Sequence, residues 1–355
     1  MTSCRHLSVA DLADGAGELE LDPDGAPLAP YGVVELDPAD LTPRLLAAAV
    51  RRLAAARTAV LVGHAKQQLS ATADPLLRAL SVTVVSAPRG ADDRELPPTC
   101  VGADEPEAAL AAIGATVRAD PLASLTLRDL LRVTTAVDVV GGLVAESFAY
   151  SMLLAGPEFA RWRAAHPPRL VPAAAGEPVL LTRDGRSLEI RLNRPDRRNA
   201  FGHTVRDALV EALALPLADE TIERVLLVGN GPAFCSGGDL DEFGTTPDVA
   251  TAHQIRLRQA AGLALHRLGD RAEVTLHGAC VGAGIEIPAF ASVVRARADV
   301  EIVLPELSMG LVPGAGGTVS LSRRIGRWRT EYLALTGRPI GLRTALAWGL
   351  VDAAL

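Results

Sequence analysis

The chain has 355 residues, of which 49% are hydrophobic, 22% charged and only 3% aromatic, with a formal net charge of −7. That length makes two domains the prior, and the composition suits a soluble globular protein cored by Ala, Leu and Val. The acidic balance argues against a general nucleic-acid binder, and no apolar run approaches the ~18 residues of a membrane span.

The first thirty residues, rich in Asp, Gly and Pro, read as turns and short strands. Apolar spacing predicts a helix over 41–56, opened by Asp40 as a cap, and buried strands over 58–63 and 82–86 with a helix between them. That alternation is a small α/β unit. The polar, proline-bearing stretch 87–106 reads as loop or linker. A long helical region follows over 124–164, with breaks expected at Gly141-Gly142 and Gly156-Pro157, and His166-Pro-Pro168 ends it. The domain boundary is placed at 168–178. Strands over 179–182 and 187–192 flank Asp184-Gly185 as a hairpin. Then come a helix at 203–214, a strand at 224–228, a glycine turn at 235–239, a helix at 249–268, a strand at 273–276 and a helix at 284–293, with further alternation over 302–335.

Neither Gly229-Asn-Gly231 nor Gly282-Ala-Gly284 has the third glycine of a dinucleotide fingerprint, and Lys66 is the only lysine, so a Walker loop is excluded. Cys4, Cys100, Cys235 and Cys280 form no CxxC pair and no zinc spacing, which points to free thiols in a reducing compartment. With no apolar run after the first residues there is no signal peptide to expect, and the protein reads as cytoplasmic. No metal site is expected.

The chemistry concentrates in three glycine-bearing segments. Phe234-Cys-Ser-Gly-Gly-Asp239 follows a strand, and the N–H of Gly238 either points into a site or serves a tight turn. Gly282-Ala-Gly284 opens a helix whose free N–H groups suit an oxyanion, and Glu286 falls in its first turn among apolar neighbours. Glu306 follows Pro305 in a similar apolar setting. Buried carboxylates have raised pKa values suited to proton transfer, and two of them can divide acid and base duty. Cys235 lacks a partnered histidine and reads as a small buried side chain. His277 reads as a strand-end residue. The arginines at 183, 186, 191, 194, 197 and 198 offer a patch that could meet phosphates, most of them solvated.

Four segments in this order resemble the enoyl-CoA hydratase/isomerase (crotonase) superfamily over 178–355. They are Leu192-Asn-Arg-Pro-Asp-Arg-Arg-Asn-Ala200, Ala233-Phe-Cys-Ser-Gly-Gly-Asp-Leu240, His277-Gly-Ala-Cys-Val-Gly-Ala-Gly-Ile-Glu286 and Leu304-Pro-Glu-Leu-Ser-Met-Gly-Leu-Val-Pro-Gly-Ala-Gly-Gly-Thr318. The resemblance implies an α/β fold with a ββα spiral core, preceded here by a smaller α/β domain over 1–120 and a helical block over 121–168. It implies an acyl-CoA thioester substrate, no cofactor beyond the coenzyme A of that substrate, and a homotrimer or dimer of trimers; charge and hydropathy add the expectation of no nucleic-acid or membrane partner. Oxyanion N–H groups then fall on Gly238 and Ala283, the two acid–base glutamates on Glu286 and Glu306, and a water-positioning glycine on Gly314. Coenzyme A contacts fall on Asn193, Arg194, Arg198, Ala200, Phe234, Ser236, Gly237 and Asp239. Two glutamates favour enoyl-CoA hydration. Isomerisation, thioester hydrolysis, C–C cleavage and an idle binding subunit are the alternatives. The polar residues His253, Gln254 and Arg256 read either as a hint of a functionalised acyl group or, in preference, as a solvated helix face. Ordinary members continue with further helices beyond the position of Leu355, and the block at 124–164 is expected to pack near the Glu286 and Glu306 turns in their place.

Overall fold

A computed structural model of the chain describes residues 5–88, 93–169 and 176–355; Cys4 and the middle of the expected 168–178 boundary lie outside them. The chain divides into two units. Unit 1 comprises Met1–Asp129 and Ile325–Thr336, and unit 2 comprises Leu130–Arg324 and Gly337–Leu355.

Unit 1 runs β1 (Arg5–Leu7), α1 (Val9–Ala13), β2 (Tyr31–Glu35), α2 (Pro43–Ala55), β3 (Val60–Ala65), α3 (Asp74–Ala79), β4 (Val82–Ser86), β5 (Cys100–Ala103) and α4 (Pro106–Ala119), and α5 (Pro121–Thr134) begins in it. The five strands pair in chain order, all parallel. Parallel neighbours require a crossover between them, and α1, α2 and α3 supply three. Every residue of β3 is buried, as expected of a parallel strand covered on both faces. Leu12, Leu46, Leu61, Leu76 and Leu80 belong to one core cluster, while the Tyr31 hydroxyl donates to Leu110 O of α4 at 2.9 Å. Two local expectations are corrected. Thr42, not Asp40, caps α2, because Pro43 occupies the first helical position and the Thr42 hydroxyl accepts from Leu45 N. The expected loop at 87–106 contains β5, a short run without alternation that pairs along β4.

Unit 2 continues with α6 (Val139–Leu154), α7 (Pro157–Ala165), β6 (Val179–Asp184), β7 (Ser187–Leu192), α8 (His203–Ala218), β8 (Arg224–Gly229), α9 (Val249–Arg258), α10 (Ala261–Arg267), β9 (Ala272–Leu276), β10 (Ala279–Val281), α11 (Ala283–Glu286), β11 (Val293–Ala296), β12 (Glu301–Val303), α12 (Gly317–Thr336), β13 (Ile340–Gly341), α13 (Leu342–Trp348) and β14 (Ala353–Ala354). A six-stranded sheet has the order β14-β11-β9-β8-β7-β6, and a three-stranded sheet the order β10-β12-β13. β9 and β11 enter the large sheet, β10 and β12 enter the small one, and a helix follows each pair. This is the expected ββα spiral in an α/β fold. Helix α12 is broken at Gly326, and the residues from Ile325 onward belong to unit 1.

The helical block is organised differently from expectation. Gly141-Gly142 lies inside α6; the break comes before Asp138, whose carboxylate caps the helix by accepting from Gly141 N at 2.7 Å. Helices α6 and α7 fall within unit 2, and the division between units runs through α5. The expected helix at 284–293 is the single turn α11, stopped by Pro288, and the expected 249–268 helix is two, α9 and α10.

Candidate functional site

The site is assembled by loops that follow β7, β8, β10 and β12. Asn199, fully buried with φ +54°, ties the first two together. Its Nδ2 donates to the carbonyls of Asn230, Ala233 and Phe234 at 2.9, 3.0 and 3.1 Å, and its Oδ1 accepts from Arg194 N at 2.7 Å. The 234–239 turn is then stitched to β10: Phe234 N donates to His277 O, Cys235 N to Ala279 O and Val281 N to Cys235 O, at 3.0 to 3.2 Å. Gly284 rests directly on this turn, where any Cβ would strike Cys235 O. Gly282, at φ +49°, leaves room for Glu306 Oε1 where a side chain would collide. The two turns therefore present Gly238 and Ala283 to one cavity of about 440 Å³. Neither amide has an acceptor among the described residues.

Glu286, Glu306 and Gly314 line the same cavity, together with Glu146 and Tyr150 of α6 and Phe159 of α7. Glu286 is 2% exposed and its Oε2 accepts from Ala315 N at 2.8 Å and Gly317 N at 2.9 Å. Glu146, also 2% exposed, takes the alternate groups of the same loop: Gly316 N at 2.7 Å, Thr318 N at 2.9 Å and the Thr318 hydroxyl at 2.6 Å. Two carboxylates from distant parts of the chain thus share four successive amides. Glu306 and Glu286 each bring an Oε1 close to Gly282, and Glu306 Oε2 has no hydrogen-bond partner among the described residues. Burial pushes Glu286 up to about 7, with its two amide donors pulling the other way. Burial and then repulsion from Glu286 push Glu146 up to about 8 and hold Glu306 well above the usual carboxylate range. A cavity whose titrating groups are displaced in this way suits proton transfer near neutral pH.

Of the residues expected to hold coenzyme A, only Asp239 lines this cavity, and it is paired with Arg197 at 2.8 Å. Ala200 is half-buried beside Phe201 and Gly202, which line the cavity, and Arg198 is exposed. Ser236 N donates to Arg198 O and Phe201 N to Gly237 O, so these residues join the two loops by backbone. Asn193 donates to Glu177 O and accepts from Asn230, while Arg194 donates to the carbonyls of Asn193 and Gly176. Phe234 is among the largest fully buried side chains: its ring is core, and only its backbone belongs to the turn.

His277 sits at its strand end with Nε2 3.1 Å from Gly231 O. Cys235 and Cys280 are free and buried, and burial pushes the Cys235 thiol up to about 12, far from a thiolate nucleophile at neutral pH. No cluster of metal-ligating side chains occurs among the described residues. Sequence reasoning misses Glu146 and Tyr150, takes Asn199 only as part of the 193–200 segment, and prefers a solvated face for the α9 residues His253, which is buried, and Arg256, which is half-buried. The one local signal for Glu146 is an acidic residue inside the apolar run Val139–Leu154.

Residues 184–355 match the family model described as enoyl-CoA hydratase/isomerase. The 2,3-dehydroadipyl-CoA hydratase of Escherichia coli is 32% identical over 174 residues, covering 49% of this chain and 68% of that protein. The 1,2-epoxyphenylacetyl-CoA isomerase of the same organism is 32% identical over 169 residues, covering 46% and 64%. The trans-2-decenoyl-[acyl-carrier-protein] isomerase of Streptococcus mutans is 29% identical over 177 residues, covering 49% and 67%. The chain thus belongs to the enoyl-CoA hydratase/isomerase (crotonase) superfamily, whose named relatives are both hydratases and isomerases. It spans about two thirds of the length of these relatives.

Proposed function

We propose that unit 2 binds a 2-enoyl-CoA thioester and adds water across its 2,3 double bond. The observation that carries this reading is that Glu286 and Glu306 line one cavity together with the amides of Gly238 and Ala283, which have no acceptor among the described residues. The thioester oxygen accepts from those two N–H groups, which stabilise the enolate-like state that follows attack at C3; one such donor is typically worth about 3 kcal/mol. Glu286, oriented by Ala315 N and Gly317 N, is the group that takes a proton from water as its oxygen bonds to C3. Glu306, held above the usual carboxylate range by burial, is the group that delivers a proton to C2. Glu146 positions the loop that holds Glu286.

Helix α6 supplies one wall of the acyl pocket. Its exposed apolar residues Val140, Phe148 and Met152, spaced along one face, support self-association of the chain, which light scattering of the purified protein tests.

Incubation with crotonyl-CoA, followed by the conjugated absorbance, tests the reaction. Loss of absorbance with formation of the 3-hydroxyacyl-CoA is expected. Gain of absorbance from a 3-enoyl-CoA, without hydration, would replace hydration by isomerisation. No turnover of either ester would leave a binding subunit.

A further inference from the structure

Resting on the acyl-CoA reading, we infer that Arg256 makes this pocket selective for acyl groups that end in a carboxylate, so that the substrate is a 2-enedioyl-CoA in preference to a neutral 2-enoyl-CoA.

Arg256 lies on α9 and lines the cavity with the glutamates. Its position there is over-determined. Nε donates to the Ser147 hydroxyl at 3.1 Å, Nη2 donates to Ser147 O at 3.4 Å and to the Ser151 hydroxyl, and the guanidinium carbon lies 4.7 Å from the centre of the Tyr150 ring. Ser147 is in turn held by His253 Nδ1 at 2.8 Å, and the His253 ring stacks on Phe148 at 4.5 Å. Tyr150 packs on Gly314, which places the guanidinium on the side of the cavity where α6 faces the Glu286 loop.

What this cation lacks is an anion. No carboxylate forms an ion pair with it among the described residues, and Nη1 has no acceptor there. Glu146, one residue before Ser147, spends its oxygens on Gly316 and Thr318. Burial is the main influence on the guanidinium and disfavours its charge, with Tyr150 and Glu146 only partly opposing it. A largely buried cation without a counter-ion is costly, so a fixed one facing a ligand cavity is best understood as waiting for a charge brought by the ligand. Two N–H groups on Nη1 suit a carboxylate, to which a guanidinium binds more strongly than to any neutral acceptor.

The test compares kcat/KM for short 2-enedioyl-CoA esters with that for 2-enoyl-CoA esters of equal chain length. It uses the intact protein and the Arg256→Leu and Arg256→Gln variants; Gln keeps a donor for Ser147 and Ser151. The intact protein is expected to favour the dioic series by about tenfold to a hundredfold, the range of one charged hydrogen bond. Both variants should lose that preference while retaining turnover of the neutral series. A neutral series equal to or better than the dioic one in the intact protein overturns the inference and leaves the acyl-CoA reading standing. An equal loss on both series in the variants places Arg256 on the coenzyme A moiety and also overturns it. If neither series is turned over or bound, the underlying reading fails and the inference falls with it.

Discussion

Both units add strands largely in chain order with helices between, in an all-parallel sheet in unit 1 and in mostly parallel sheets in unit 2, yet they treat buried charge in opposite ways. In unit 1, Arg327 and Glu331 lie 3.7 Å apart, Arg327 also donates to Leu80 O at 3.2 Å, and Arg329 donates to the carbonyls of Asp93 and Leu96 at 3.1 Å each. Charge there is matched by opposite charge or by carbonyl dipoles, a structural use. In unit 2, Glu146, Glu286 and Glu306 crowd one cavity, burial raises all three, repulsion from Glu286 raises Glu146 and Glu306 further, and no cation pairs with them among the described residues. A fold under selection for stability alone would not keep that arrangement. The sheet does not separate a scaffold from a candidate active site; the electrostatics of the loops does.

The sharpest way to break the contrast is to neutralise the glutamates. Glu286→Gln and Glu306→Gln are each expected to lower turnover of a 2-enoyl-CoA by about a hundredfold to ten-thousandfold, the usual weight of positioned acid–base groups. Binding of a saturated acyl-CoA, read by calorimetry, should be nearly unchanged. Near-normal turnover in either variant removes that residue from the mechanism.

Next comes the amide of Ala283. It is the first residue of α11, where proline is well tolerated and only the N–H is lost. Ala283→Pro should therefore cost about a hundredfold to a thousandfold in kcat with little change in melting temperature. A folded variant with full activity would contradict the oxyanion assignment.

Glu146 separates positioning from chemistry. Glu146→Ala leaves Gly316 N, Thr318 N and the Thr318 hydroxyl without their acceptor and should lower kcat by about tenfold or more, with Glu146→Gln recovering part of it. A merely structural residue would shift the melting temperature alone. A role through Glu286 should also move the pH profile of kcat.

In unit 1 the same chemical change should act only on folding. Glu331→Gln is expected to cost about 1–3 kcal/mol of stability in denaturant titration, with turnover per folded molecule unchanged. Loss of activity at full stability would erase the distinction between the units.

The pH dependence of stability supplies the smallest effect. Glu286 and Glu146 hold protons up to about 7 and about 8 in the folded state, whereas the unfolded chain releases them in the ordinary carboxylate range. The folded state binds more protons across that window. The contribution is therefore fully present below the ordinary range and is lost as pH rises through those two values. The denaturation midpoint of the intact protein should fall as pH rises across that window, and Glu146→Gln should flatten the slope. An intact protein whose midpoint rises over the same interval would show these groups to be ionised.

Much of this was legible in the chain itself. Periodicity located β4, the β6–β7 hairpin and β8 closely, because alternation and an Asp-Gly turn are local properties. The four motifs identified the superfamily, since glycines that permit close backbone approach are dictated by the turns they form. Element ends were less legible: β3 runs two residues later than 58–63, and α11 is a single turn, because pairing partners and Pro288 decide those limits.

What the sequence determined by itself was therefore the turns, the glutamates at 286 and 306, and the family. Only tertiary structure brought α6 and α9, about a hundred residues apart in the chain, to the same cavity wall. Glu146 reads locally as an acid in an apolar helix, and Arg256 as a solvated face; their roles come from Gly316, Thr318, Ser147 and Tyr150, which no local pattern connects to them. Burial and charge partnership are properties of the packed chain, and for these two residues that packing decided between a surface charge and a site.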